Sequence, residues 1–365
     1  MITVNELFSG IGAFRKALVN LNIPHKIVGI SEIDRYAIKS YEAIFGAARN
    51  YGDISKVAKL DYADMWTYGF PCQDVSISGL QGGIVKNETR SGLLYEVQRL
   101  LVTAASHDEL PKYLILENVK NLVGKRFIND FNAWLEWLDG LGYNNYWQVI
   151  NAKDHGLPQN RERVFVVSIH KSIDNKSFEF PKGFPLDKKL RDLMELEVDE
   201  TYYLDGKYES ILKVNDNYSV LCGGTIGKMH DISRRVYNPE YIAPALHTCG
   251  GGYQEPKVFA PRVIGGLGEK KSNAGRQWYQ QDRIYDDKVA ISVTTSFNPY
   301  YIDTTQGRPR KLTPRECWRL QGFGDEDFNA ARNVCSISQL YKQAGNSIAV
   351  PVAMGILTNL LGGEL

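Results

Sequence analysis

Cysteine is scarce: Cys72, Cys222, Cys249, Cys317 and Cys335 are the only five in 365 residues, and no two form a Cys-x-x-Cys pair. An odd, scattered set excludes a disulfide framework and a zinc cluster, and it fits a reducing cytoplasm. Surplus charge is missing as well, since 43 Lys and Arg stand against 42 Asp and Glu. Contact with a polyanion must therefore come from local patches. No apolar run is expected to span a bilayer. The opening MITVNELFSG lacks the basic and apolar regions of a secretory leader, so none is expected. Strong internal repetition is absent too. RRVYNPEYIAPALHT (234–248) and DRIYDDKVAISVTT (282–295) resemble one another, but two copies fall short of a solenoid. They are expected as paired strand–turn units in a small β-rich region.

What is present is alternation. Strand-like runs at Ile2–Phe8, Lys26–Glu32, Asp64–Phe70, Tyr113–Glu117, Trp147–Asn151 and Arg163–Ile169 are interleaved with helical spacing at Ala13–Asn20, Ala37–Phe45, Leu93–Ala105 and Phe127–Leu138. Such βαβ units imply an α/β fold with a mostly parallel, doubly wound sheet. The texture changes near Phe180–Pro185. An acidic piece, Asp187–Glu200, reads as helical, and a Gly-, Tyr- and Asn-rich region of short strands follows. Helical spacing returns at Pro314–Gln321, Ser338–Lys342 and Ala349–Leu361. The chain is long enough for two domains.

Four stretches carry polar groups at strand ends. In TVNELFSGIGAFRKAL, Gly10 and Gly12 allow close backbone approach to a ligand. Arg15 occupies the place where a dinucleotide fingerprint wants its third glycine. A nucleoside ligand without pyrophosphate fits better, and a nicotinamide dehydrogenase is disfavoured. Glu32 closes KIVGISE, where a carboxylate can accept from ribose hydroxyls. Asp53 can accept from a purine amine; a plain glycine turn with two surface acids is the alternative. Cys72, after the strand-ending Phe70-Pro71, is either an inert small hydrophobe or a nucleophile at a strand's carboxyl end.

In KYLILENVKNL, an apolar strand delivers Glu117 and Asn118. Desolvation there would raise the carboxyl pKa and suit it to donate a proton near neutrality, unless it is simply a solvated strand end. In LPQNRERVFVV, Arg161 and Arg163 share one face at strand spacing, as an ion pair or as a fork for an anion or base carbonyl. His155 reads as a hydrogen-bonded loop histidine.

Taken in order, ELFSGIGAFRKAL, SEIDRYA, YGDIS, GFPCQDVSISG, TRSGLLYEV, LENVKNL, PQNRERVF, RKLTPRECWRLQGF and QAGNSIAVPV resemble the DNA (cytosine-5) methyltransferases. The resemblance covers residues 1 to about 169 and 308 to 352. The stretch 180–305 has no fixed match, as expected of a variable target-recognition segment. Asp74-Val75 stands where the family often has Pro-Phe. The resemblance implies an S-adenosylmethionine-dependent, Rossmann-like sheet with a second, smaller β-rich recognition domain. Cys72 would add to C6 of cytosine, Glu117 would hydrogen-bond or protonate N3, Arg163 would contact O2, and Arg161 would support the pocket. S-adenosyl-L-methionine would be held by Phe8, Gly10, Gly12, Glu32, Ile33, Asp53, Ile54, Pro71, Asn346 and Ser347. Because C6 is hidden in a stacked duplex, the target base would be flipped out.

Charge supports a local DNA face. Residues 221–280 hold eight Lys and Arg against four acids, and 301–320 add Arg308, Arg310, Lys311, Arg315 and Arg319 against Asp303 and Glu316. Ser76, Arg234, Arg235 and Arg276 are the candidate DNA contacts. The expected division is a catalytic lobe (1–180, completed by 339–365) and a recognition lobe (181–338). The expected partner is duplex DNA, met by a monomer in a bacterial or phage setting, with no membrane and with room for a separately encoded restriction endonuclease. An RNA cytosine-5 methyltransferase and a catalytically silent DNA-binding protein are the rivals. The long recognition segment speaks against the first, and the intact Cys72, Glu117 and Arg163 set against the second.

Overall fold

The computed structural model describes residues 1–70, 93–202 and 312–362, with the short strands at 236–237, 243–244, 263–266, 283–285, 300–303 and 308–311. The first half of the chain alternates as its periodicity requires. It runs β1 (Ile2–Leu7), α1 (Ala13–Asn20), β2 (His25–Ser31), α2 (Arg35–Phe45), β3 (Met65–Tyr68), α3 (Leu94–Ala105), β4 (Tyr113–Val119), α4 (Ile128–Gly140), β5 (Tyr143–Asn151), β6 (Gln159–Asn160) and β7 (Glu162–His170). Then come the short strands β8 (Val236–Tyr237), β9 (Ala243–Pro244), β10 (Val263–Gly266), β11 (Arg283–Tyr285), β12 (Tyr300–Asp303) and β13 (Arg308–Lys311). The chain closes with α5 (Pro314–Arg319), α6 (Asp325–Arg332), α7 (Ile337–Asn346) and α8 (Val350–Leu361).

Six strands form one sheet in the order β2-β1-β3-β4-β7-β5. The pairings β1–β2, β1–β3 and β3–β4 are parallel, and β7 runs antiparallel to both its neighbours. The central strands β3, β4 and β7 are predominantly apolar on both faces, which is how a sheet covered on both sides reads. Met65, Ile115, Phe165 and Val167 enter one core with α1, α5, α6, α7 and α8. Their neighbours Trp66, Leu114, Leu116, Val164 and Val166 enter the other with α3 and α4. The sheet is therefore doubly wound. Because β2 and β3 lie on opposite sides of β1, the chain reverses its direction of travel there, and a crevice opens beyond the strands' carboxyl ends.

Three expectations need correction. The acidic piece Asp187–Glu200 is not a helix but two 3-10 turns, Leu190–Leu193 and Glu200–Tyr202. Tertiary anchors hold it open: the Glu195 amide donates to Glu316 (2.8 Å), and the Glu195 carboxylate pairs with Arg315 (2.9 Å). Among the described residues, the strands of the two similar segments do not pair with each other. β8 joins β12 in parallel, whereas β11 pairs antiparallel with β10. Finally, Ile337–Leu361 is, by length and composition, apolar enough to cross a membrane. Here it is two helices broken at Ser347, whose ψ of 160° is extended, and most of α8's apolar side chains lie in the core.

Candidate active site

The residues singled out at strand ends converge on the carboxyl edge of the sheet. Past β1, Phe8 (φ 57°), Gly10 (φ 54°) and Gly12 (φ 78°) turn the chain through left-handed backbone, and the Phe8 amide donates to the Ser31 carbonyl at 2.7 Å. Glu32 closes this turn from the neighbouring strand. One carboxylate oxygen accepts from the Gly10 amide at 2.9 Å, and the other from the amides of Ile33 and Asp34, each at 2.9 Å. Ile33 is largely exposed beside it. The segment 50–53 is held to β2 by the Ser31 hydroxyl, which donates to the Gly52 carbonyl at 2.7 Å. Asp53 caps the 3-10 turn Ile54–Lys56, accepting from the Ser55 hydroxyl (2.8 Å) and amide (3.0 Å). Those bonds hold its carboxyl below the usual range. Ile54 is buried beneath.

This turn is a cradle. A Cβ on Gly10 or Gly52 would meet open space, whereas one on Gly12 would strike the Tyr41 and Phe45 rings at 2.6–2.8 Å. Among the described residues, the Ser9 hydroxyl is buried there without a hydrogen-bond partner. Arg15, where a third glycine was sought, braces the floor. Its guanidinium lies over the rings of Tyr41 (5.4 Å) and Phe45 (4.8 Å) and donates to the Tyr41 hydroxyl, which in turn donates to buried Glu6 at 2.5 Å. Glu6 was missed in the sequence. Its signal is a carboxylate within a strand, between Val4 and Leu7.

Across β3, register places Leu116 beside Tyr68, so Glu117 lies level with Gly69, whose missing side chain would meet the Glu117 carboxylate at 3.5 Å. Glu117 pairs with Arg163 at 3.1 Å. Burial raises its carboxyl pKa, and Arg163 and Arg161 only partly oppose that. Asn118, also buried, donates to the Phe70 carbonyl at 3.1 Å and fixes the chain just ahead of Pro71. Arg161 is buried and reaches the other way, donating to the carbonyls of Gly345 (3.1 Å) and Ser347 (2.6 Å). It thereby ties the end of α7 to β7. Ser347 is buried and Asn346 exposed at that end. Gln159, also missed, joins Leu320 and Gln321 through its amide.

His155 departs from expectation. It is buried, makes no hydrogen bond among the described residues, and packs edge-on to Phe184, and burial lowers its pKa. Pro71, Cys72, Ser76, Arg234, Arg235 and Arg276 lie outside the described residues.

The fold is that of methyltransferases. It matches the Entamoeba histolytica methyltransferase EhMeth with a TM-score of 0.65 at 15% identity, covering 100% of this chain and 99% of that one. It also matches the S. pombe Dnmt2 methyltransferase with 0.61 at 18%, covering 100% and 99%. The profile of the C-5 cytosine-specific DNA methylases spans residues 2–362, and the chain belongs to that family. It is 32% identical to the orphan methyltransferase M.SPBetaI of Bacillus phage SPbeta, over 99% of this chain and 97% of that protein. It is 31% identical to the type II methyltransferase M2.ScrFI of Lactococcus lactis subsp. cremoris, over 100% of both. The protein is thus a DNA (cytosine-5-)-methyltransferase.

Proposed function

We propose that the enzyme methylates C5 of a flipped-out cytosine within a short duplex sequence, using Cys72 as a covalent catalyst and S-adenosyl-L-methionine as donor. The observation that carries this reading is the partly buried Glu117–Arg163 pair beside Gly69, which precedes Cys72 by three residues in the sequence. Cytosine C5 is a poor nucleophile. Addition of the Cys72 thiolate to C6 breaks the ring's aromaticity and turns C5 into an enamine carbon. Glu117, protonated more readily than an exposed carboxyl, hydrogen-bonds or protonates N3 as negative charge develops in the ring. Arg163 contacts O2. Once C5 carries the methyl group, loss of its proton to solvent expels the thiolate and restores the ring.

The cradle fits the cofactor: Gly10 leaves space, Ser9 offers an unpartnered hydroxyl, and Glu32 and Asp53 present carboxylates along one edge. When bound there, S-adenosyl-L-methionine supplies an electrophilic methyl group on a sulfonium. Glu32 with Ile33 takes the ribose side, and Asp53 with Ile54 the adenine side. Phe8, Gly10, Gly12, Pro71, Asn346 and Ser347 complete the pocket. Arg161 acts as a positioning residue, through the carbonyls of Gly345 and Ser347.

Residues 1–180 with 339–365 carry the chemistry and 181–338 read the sequence, with α5 and α6 seated on the catalytic lobe. Ser76, Arg234, Arg235 and Arg276 contact DNA. We take the enzyme to work as a cytoplasmic monomer in a bacterial or phage setting. A separately encoded endonuclease is the partner that the type II relative's name suggests. The test is transfer of labelled methyl groups to duplex DNA and to tRNA in parallel, with bisulfite sequencing of the product. Label in tRNA alone, or in neither, would overturn the reading.

A further inference from the structure

We propose that the turn between β4 and α4 is an additional anchor for the DNA backbone, gripping phosphates beside the reacting cytosine through Lys125 and Arg126. This rests on the reading above that the carboxyl edge of the sheet receives the target base. The turn leaves β4 at Val119, just past Glu117 on the same strand, so it borders that edge. Residues 119–127, VKNLVGKRF, contain three bases and no acid.

The turn is rigid. Leu122 and Phe127 are buried in the core beneath α3 and α4. The Gly124 amide donates to the Asn121 carbonyl at 2.9 Å, and the Gly124 carbonyl accepts from the amides of Phe127 (2.9 Å) and Ile128 (3.0 Å). Anchored this way, the backbone leaves Lys120, Lys125 and Arg126 exposed. A fixed turn gives up little conformational freedom when it meets a ligand.

Of the three bases, Lys120 is already engaged, holding both oxygens of Glu162 at 2.9 and 3.0 Å. Lys125 has no hydrogen bond or ion pair among the described residues. Arg126 lies over the Phe127 ring at 5.4 Å, is not without other partners, and is exposed to solvent. The first acid after this turn in the chain is Asp130, in the first turn of α4, and Glu162 is the acid that Lys120 holds. Elsewhere exposed lysines commonly stand by a carboxylate, as Lys59 does by Glu109, Lys112 by Asp64 and Lys171 by Asp139. Two neighbouring exposed bases on a rigid turn beside the catalytic edge fit a phosphate backbone. They read no base edge, so they bind all sequences alike.

The test measures Kd for cognate and unrelated duplexes across a range of salt, using the full chain and the double variant Lys125→Ala/Arg126→Ala. Lys26→Ala serves as control, since Lys26 is exposed at the amino end of β2, the opposite edge of the sheet. For every phosphate that the variant no longer neutralises, the slope of log K against log salt should flatten by about 0.9. The double variant should weaken both duplexes by the same factor, Lys125→Glu should weaken them further, and the Lys125→Arg/Arg126→Lys exchange should restore the slope. S-adenosyl-L-methionine binding, measured alongside, reports that the fold is intact. Slopes that coincide for parent, double variant and control, while the parent methylates DNA, would overturn the anchor. A parent that transfers no methyl group would instead overturn the reading beneath it.

Discussion

The Arg163 guanidinium stands 3.1 Å from the Glu117 carboxylate, with side chains only 13% and 12% exposed. Burial and pairing pull the carboxyl in opposite directions, and burial wins: the pKa of Glu117 is raised despite Arg163 and Arg161. A carboxyl beside two guanidiniums thus keeps its proton to higher pH than an exposed one, as a donor to ring nitrogen requires.

Replacing Glu117 with Gln separates chemistry from stability. The folded chain holds the Glu117 proton where the unfolded chain has already lost it. Stability therefore falls as pH rises through that window, and the penalty persists above it. Gln carries no such penalty and can still accept from Arg163. At pH 8 its unfolding free energy should match the parent's within about 1 kcal/mol, whereas Glu117→Ala, which leaves the partly buried Arg163 guanidinium without its carboxylate, should lose more. Turnover of Glu117→Gln should drop by about 10²–10⁴-fold. The parent's kcat/KM should decline on the alkaline side, a limb the variant lacks. Denaturant melts and a pH–rate profile check both halves. Full activity in the Gln variant would remove Glu117 from the mechanism.

The two cradle glycines should fail differently. Both have positive φ, but only at Gly12 does an added Cβ collide, with Tyr41 and Phe45. Gly12→Ala adds that collision to backbone strain and should therefore unfold at distinctly lower denaturant, by more than about 2 kcal/mol. Gly10→Ala has backbone strain alone, costing about 1–2 kcal/mol, and its methyl group points into the open cradle. It should lose S-adenosyl-L-methionine affinity well beyond what its small stability loss explains. Calorimetric titration of both variants decides, and unchanged affinity in Gly10→Ala would place the cofactor elsewhere.

Much of this was legible in advance, and the reasons are local. β4 could be bounded because Tyr113–Leu116 is an unbroken apolar run, and Gly10 because only glycine suits that turn. Glu117 was visible because a carboxylate at the end of such a strand has few bland explanations. What escaped depends on distant chain. The reversal of β7 leaves no periodic trace, since a buried strand reads the same in either direction. Asp187–Glu200 has helical composition, but Glu195 is claimed by Arg315 and Glu316, more than a hundred residues on. Arg161 looks like Arg163's twin in sequence, yet it faces Gly345 and Ser347.

Cys72 should reveal itself by trapping. Duplex DNA with 5-fluorocytosine at the target keeps fluorine where the C5 proton should leave, so the thiolate cannot be expelled once methyl transfer has occurred. A band shifted on a denaturing gel should appear with cofactor and vanish in Cys72→Ala. That variant should still bind DNA and S-adenosyl-L-methionine while transferring no methyl group. A shifted band of equal strength from Cys72→Ala would name another nucleophile.

The chain enters and leaves its recognition stretch through one charged latch, and this fixes where a graft can be made. Glu195 pairs with Arg315 at 2.9 Å and accepts from the Thr313 hydroxyl at 2.5 Å, while Arg319 donates to the Leu193 carbonyl at 2.9 Å. Beyond the latch, Trp318, Phe323 and Phe328 lie in the same core as Val4 and Phe14. Lys16 of α1 meets Asp327 of α6 at 2.7 Å, with side chains only 10% and 5% exposed. Exchanging residues 196–311 for those of a relative with different specificity keeps all of these interactions. Exchanging 181–338 replaces the whole latch and one side of both the shared core and the Lys16–Asp327 pair, and breaking a buried ion pair alone costs about 3–5 kcal/mol. The shorter chimera should fold and methylate the donor's sequence, and the longer one should melt earlier and lose most activity. Bisulfite mapping of DNA exposed to each chimera, with thermal melts of both, separates the outcomes. A shorter chimera that is active yet still marks the original sequence would move recognition out of 196–311.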